Sequence, residues 1–327
     1  MNKNKHFYGI DISKDVFDVM DQNDQHSSFA NTLKGFKEFK NSLPPGSAVI
    51  MEATGVYHVQ LADYLFEQNI FVSVVNPLVI KRFIQMKMRR VKTDKADAQM
   101  ICQYGIQNEL KGYEPAAIYI KEARIITENI DLLIKARTMF KNRLHALSHK
   151  SAKTRLGIIN PMKKSISEIN KQIARLENEL KQIISFHYQD LNSRLQTIPG
   201  IGSSTAMFLI ILTEGFEKFD SAKQLICYTG LSPTEKTSGS SVRGSRSISK
   251  QGNPKIRNLL FMCSFNACKS NKACRDLYVR LVAKGKSKKL ALIAVANKLI
   301  KQSFSIAKSG LVYDENFRSV KNELALF

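Results

Sequence analysis

Acidic side chains are scarce in this sequence: 28 Asp and Glu stand against 50 Lys and Arg in 327 residues, a formal net charge of +22. That imbalance is larger than solubility requires and points to a polyanionic partner. Its basic residues are spread over most of the length, with clusters at residues 81–90 and 236–257, which reads as contact surface and not as a disordered tail. An inert cationic surface is the bland alternative. Cysteine occurs five times, at Cys102, Cys227, Cys263, Cys268 and Cys274, scattered and without a CxxC pair, so no zinc site is expected and the thiols read as buried in a reducing compartment. His145 and His149 lie four apart but lack the Glu of HExxH, and read as surface residues. No apolar run approaches the ~20 residues of a membrane span. The start, MNKNKHFYGIDIS, passes from a polar lead into strand alternation without the apolar core of a secretory leader. These absences predict a folded cytosolic protein with no membrane partner, while 43% hydrophobic content allows two or three domains.

What is present begins with alternation. HFYGIDIS, VFDVMDQ and HSSFAN read as three consecutive strands, followed by a helix over residues 33–43, the strand SAVIMEA, a helix over 58–69, the strand FVSVV and a helix over 77–88. The order βββαβαβα is that of an α/β RNase H-like fold, in which the first strand lies centrally beside the fourth. From about residue 110 to 184 the pattern becomes two long helices. Ile126, Ile130, Leu133, Phe140, Leu144 and Leu147 form an apolar stripe interrupted by Arg137, and Ile166, Ile169, Ile173, Leu176, Leu180 and Ile183 form a second, with residues 157–161 as the break between them. Two arrangements fit these stripes: a hairpin packed on itself and a dimerising coiled coil. The remainder reads as mainly helical, with IPGIG as a glycine turn opening a buried helix and one irregular polar insert, TGLSPTEKTSGSSVRGSRSISKQGNP. The expected domains are therefore 1–109, 110–187 and 188–327.

Asp11 sits between two isoleucines in GIDIS, so alternation puts its carboxyl on the face opposite theirs. Glu52 ends the apolar run SAVIM, and KTDKADA places Asp94 and Asp97 three apart on one helix face. On the expected fold these four acids converge. Clustered carboxylates repel one another unless cations hold them, so the companion is Mg²⁺, and two such ions about 3.5 to 4 Å apart would position a phosphodiester for in-line displacement. Taken singly, each acid is an ordinary surface or capping residue. A serine among the cations of the polar insert has two readings as well, a nucleophile toward phosphorus or part of a flexible phosphate-binding loop.

GIDISKD, MEATGVYH, VNPLVIKRF and KTDKADA, then IPGIG, YTGLSP, TSGSSVRG and ISKQGNPKIRNLL, occur in order over nearly the whole chain, which resembles the DEDD transposases of insertion sequences, relatives of the Piv DNA invertases. The resemblance implies a RuvC-like N-terminal domain whose carboxylates Asp11, Glu52, Asp94 and Asp97 bind Mg²⁺ or Mn²⁺. It also implies a C-terminal transposase domain with a nucleophilic serine, the family's Ser-Gly step falling on Ser238 and Gly239. Where relatives often carry two serines before that glycine, this chain has Thr237 and Ser238, so Ser240 and Ser241 stay open as alternatives. It further implies donor and target DNA, a non-coding bridge RNA, and a dimer or tetramer built partly through the coiled coil. Lys236, Arg243, Arg246, Lys250, Lys255 and Arg257, with Gly239, would line phosphates around the serine loop, and Lys87, Arg89 and Arg90 would contact backbone ahead of Asp94. Two other functions remain in view, a metal-dependent junction nuclease that activates water and a non-catalytic nucleic-acid-binding protein.

Overall fold

The computed structural model describes residues 6–53, 55–88, 93–149, 156–234, 237–238, 242–243 and 247–316. The chain divides into two compact units, Met1–Ala116 and Ala117–Phe327. In the first, β1 (His6–Ile12), β2 (Val16–Asp21) and β3 (His26–Ala30) form an antiparallel meander, and β4 (Ser47–Glu52) and β5 (Phe71–Val75) add in parallel, giving the order β3-β2-β1-β4-β5. The first strand thus lies beside the fourth in the middle of the sheet, as the element order predicts.

Alternation along these strands makes two apolar faces, and each is covered by helices. Ile10, Ile12, Val49 and Met51 pack with Phe36 and Phe39 of α1 (Leu33–Ser42) and with Leu61 and Leu65 of α2 (His58–Glu67). Phe17 meets Phe36 and Phe39 with ring centroids 6.1 and 5.6 Å away, a cluster in which each buried ring contributes roughly 1.5–3 kcal/mol. On the other face Ile50 and Val75 pack with Ile80 of α3 (Pro77–Met86) and Ile101 of α4 (Asp94–Gln107). Asn76 caps α3 through the Leu78 N–H and Thr93 caps α4 through the Ala96 N–H, with Pro77 at the permissive first position of its helix.

The second unit opens with α5 (Ile118–Ser148) and α6 (Leu156–Gln196), which pack on each other within the chain. Residues 110–117, within the stretch expected to be helical, form no helix or strand, and the Tyr113 N–H bonds to Val72 O at 2.7 Å. The break between the helices also differs from expectation: Gly157 and Pro161 lie inside α6, and α5 ends at Ser148 with His149 as its cap. Pro161 removes one backbone donor near the start of α6, and the helix continues through it. A kink falls instead at Tyr188, with φ −140° and ψ 29°.

Ile126, Ile130, Leu180 and Ile184 join one core with α7 (Ser203–Thr213), α8 (Ala222–Thr229), α9 (Pro254–Ser270), α10 (Lys272–Ala283) and α11 (Lys288–Ser309). Arg137, the break in the first stripe, donates to Asn170 across the hairpin at 3.1 Å. Gly200, in the IPGIG turn, has φ +105°, and a Cβ there would stand 2.7 Å from that of Ala267, so only glycine lets the turn seat against α9. Among the described residues α11 is the one helix whose length and hydropathy would span a bilayer. Val295, Ala296, Leu299 and Ile300 are nevertheless buried in the core, which accounts for its apolar composition. The polar insert is also more regular than expected. Within it β6 (Pro233–Thr234) pairs with β9 (Ser247–Ile248), and, nested in sequence between them, β7 (Thr237–Ser238) pairs with β8 (Val242–Arg243).

Candidate functional site

The site is built on the face of the sheet that carries α4. Phe7, Gly9 and Asp11 alternate onto that face of β1, and a Cβ on Gly9 would collide with the backbone of Ala98 and Cys102. Glycine there lets α4 lie directly on the strand, and the Cys102 thiol donates to Phe7 O at 3.4 Å. Parallel pairing of Ile10 with Met51 carries Asp11 and Glu52 onto one face at the ends of adjacent strands. Asp94 and Asp97 occupy the first turn of α4, where a carboxylate also gains from the helix dipole.

Their convergence registers in the chemistry of Asp11. Burial is the largest cause pushing its carboxyl up from 3.8 to about 6, followed by the charges of Asp97, Asp94, Glu52 and Asp18. Three of the acids singled out by sequence, Glu52, Asp94 and Asp97, thus bear on the fourth, Asp11. Asp18 is a fifth that sequence reasoning missed; it is the cross-strand partner of Asp11, and its Oδ1 lies 2.8 Å from His26 Nε2. Reading the register of the tight turn between GIDIS and VFDVM would have found it. Among the described residues no three His, Cys, Asp or Glu side chains stand as a ready-made metal ligand set. The donor chemistry nevertheless fits a hard divalent cation: all-oxygen, multiply anionic, and resisting full ionisation on its own.

The structure distinguishes among the cations selected by sequence. Lys255 Nζ is 2.6 Å from Asp131 Oδ2 and 4.6 Å from the Phe208 ring centroid, so it is engaged inside the second unit. Arg257 donates Nη1 to Thr229 O at 3.1 Å and to Gly252 O at 3.0 Å, fastening the base of the polar insert to the end of α8. Lys250, with φ 56°, is exposed on the same insert, and its N–H bonds to Gly230 O at 3.1 Å. Lys87 is exposed at the end of α3, its ammonium 5.3 Å from the Phe83 ring centroid. Arg89, Arg90, Lys236, Gly239, Ser240, Ser241 and Arg246 lie outside the described residues, as do the side chains of Ser238 and Arg243. Of Ser238 the backbone position is given: it pairs with Val242 at the last rung before the three residues 239–241.

Comparison with known proteins covers both units. Residues 8–148 match the family model of the DEDD-type IS110 transposases, and residues 192–279 match that of the Transposase IS116/IS110/IS902 family. The chain is 30% identical over 333 residues to the pilin gene-inverting protein of Moraxella bovis, a match that covers 95% of this chain and 98% of that relative. It is 21% identical over 329 residues to the transposase for insertion sequence element IS1111A of Coxiella burnetii, covering 89% and 86% respectively. With both family regions matched in order and a relative aligned almost end to end, the chain belongs to the IS110 family of DEDD transposases and is an enzyme of DNA recombination.

Proposed function

We propose that this transposase cuts and rejoins DNA through a phosphoserine link, with Asp11, Glu52, Asp94 and Asp97 of an RNase H-like, RuvC-like unit holding Mg²⁺ or Mn²⁺ and Ser238 as nucleophile. The observation that carries the metal site is the Asp11 carboxyl, lifted to about 6 by burial and by the charges of the other three acids. The sheet order β3-β2-β1-β4-β5 supports the RNase H-like reading. A divalent requirement follows from the family, and a bound ion would supply stabilisation of charge on the phosphoryl oxygens.

In the serine step, Ser238 Oγ bonds to phosphorus as the bond from phosphorus to one ester oxygen of the DNA breaks. The departing oxygen takes a proton, and the serine proton passes to a neighbouring base. Attack by a second DNA hydroxyl then releases the serine, so bond energy is conserved and no external energy source is consumed. Cations of the polar insert, Lys236, Arg243, Arg246 and Lys250, with the Gly239 backbone, would hold the DNA backbone during the exchange. Lys87, Arg89 and Arg90 would do the same ahead of Asp94.

Recognition of donor and target through a non-coding bridge RNA belongs to this reading, as does action in the cytosol. A homo-oligomer, dimer or tetramer, belongs to it too, with one change in the surface that supports it. The stripe containing Ile126 and Ile130 is used inside the chain, whereas Ile118, Ile125, Leu132 and Met139 recur every seven residues on α5 and are 84, 58, 63 and 71% exposed. A heptad-spaced apolar row turned to solvent suits pairing with a second copy.

The covalent step is tested with a nicked suicide DNA substrate and Mg²⁺. A DNA–protein adduct lost in Ser238→Ala supports the serine. An adduct that survives the change rejects that assignment, and hydrolysed ends without any adduct would favour the metal-dependent nuclease.

A further inference from the structure

Residues 236–313 contain 17 Lys and Arg and a single acid, Asp276, and so carry +16 of the +22 formal charge. Eleven of those cations fall between residues 269 and 308, beyond the polar insert, on and around α10 and α11. There the two helices face each other across a groove of about 530 Å³. Positions 273, 276, 277 and 280 of α10 and 294, 297, 298 and 301 of α11 line it, the same i, i+3, i+4, i+7 spacing on each helix. Small Ala273 and Ala294 leave the space, while Arg280, Lys298 and Lys301 supply charge, opposed by Asp276 alone.

Some cations elsewhere in this unit are compensated, Lys255 by Asp131, Lys218 by Glu214 and Arg194 by Asp190. Among the described residues no ion pair reaches Arg280, Lys298 or Lys301. Uncompensated like charge held around one concavity raises the local concentration of polyanions. The lining contains no aromatic ring. Single strands and RNA loops are gripped largely by bases stacked on aromatic side chains, so a groove whose charged groups are three cations and one acid, with no ring to stack on, suits a stacked duplex presenting phosphates.

We propose that the α10–α11 groove is a sequence-independent track for the phosphate backbone of duplex DNA, with Arg280, Lys298 and Lys301 on phosphates. It adds a second DNA contact to the polar insert and stands whether or not Ser238 is the nucleophile.

The test uses the full chain, a fluorescent DNA duplex of arbitrary sequence, and binding isotherms between about 50 and 200 mM salt. Combining Arg280→Gln, Lys298→Gln and Lys301→Gln should lower the slope of log affinity against log salt by about 2–3, at roughly 0.9 per lost phosphate contact. The same charge change on α1, Lys34→Gln with Lys37→Gln and Lys40→Gln, serves as control, with folding of both variants checked by circular dichroism. Equal slopes in the two triple variants overturn the proposal. A slope that falls on duplex RNA but not on DNA overturns it as well. Removing the opposing acid by Asp276→Asn should tighten binding about two- to fivefold, the size expected of one exposed charge, and this gain cannot come from misfolding. Unchanged or weaker binding in that variant counts against the groove.

Discussion

Replacing Asp11 by asparagine keeps the shape of the side chain and removes the charge that its surroundings oppose. Because the folded state holds this carboxyl near 6 against an ordinary 3.8, the proton binds more tightly to the folded chain. Ionisation therefore costs stability, and the loss develops as pH rises from about 4 through about 6. At 1.36 kcal/mol per pH unit the rise corresponds to roughly 3 kcal/mol at most, and partial exposure to screening water reduces this to about 1–2 kcal/mol. In chelator at pH 7.5, Asp11→Asn should accordingly unfold at a higher temperature than the unmodified protein, while at pH 4 the two should coincide. Millimolar Mg²⁺ should raise the transition of the unmodified protein, since an ion that binds only the folded state stabilises it, and should do little for the variant. Full-length protein followed by circular dichroism at both pH values gives the comparison. A variant less stable than the parent at pH 7.5 without metal, or equally shifted at both pH values, would refute the reasoning that burial and the neighbouring acids oppose the charge on Asp11.

Gly9→Ala should destabilise the protein by about 2–3 kcal/mol, measured by urea unfolding, because the new Cβ meets the backbone of Ala98 and Cys102, which has no rotamer to give. Arg257→Ala, which removes a charged donor from two carbonyls, should cost about 1.5–3 kcal/mol and speed limited proteolysis within residues 229–253; Arg257→Lys should not restore resistance, since an ammonium lacks the planar fork. Leu132→Glu with Met139→Glu should shift sedimentation toward monomer while changing the thermal transition by no more than about 0.5 kcal/mol equivalent, because both side chains are exposed.

Elements governed by local pattern were legible in the sequence. The strands of the meander follow from period-two alternation and β4 and β5 from short apolar runs, and the first three helices of this unit begin at the residues expected, Leu33, His58 and Pro77. The places of Asp11 and Glu52 on β1 and β4 and of Asp94 and Asp97 in the first turn of α4 were legible because strand parity and a three-residue helix spacing fix faces without any knowledge of packing. What depends on pairing between distant residues was not. Asp18 enters the acid group through a hairpin register, and Lys255 is drawn to Asp131, 124 positions away. The polar insert reads as loop because Ser and Gly are turn residues, yet backbone pairing such as Thr234 with Ser247 needs no apolar side chains. The heptads of α5 and α6 signal a helical interface but not its partner, and the structure uses Ile126 and Ile130 inside the chain while leaving Leu132 and Met139 outside.

The central claim is that acids from three separated segments form one divalent-ion site. Electron paramagnetic resonance of Mn²⁺ titrated into full-length protein measures that site directly, without requiring turnover. Asp11→Asn, Glu52→Gln and Asp97→Asn should each weaken Mn²⁺ binding about tenfold or more, whereas Glu38→Gln on exposed α1 should leave it unchanged. Equal Mn²⁺ affinity across all four variants and the unmodified chain would contradict the account.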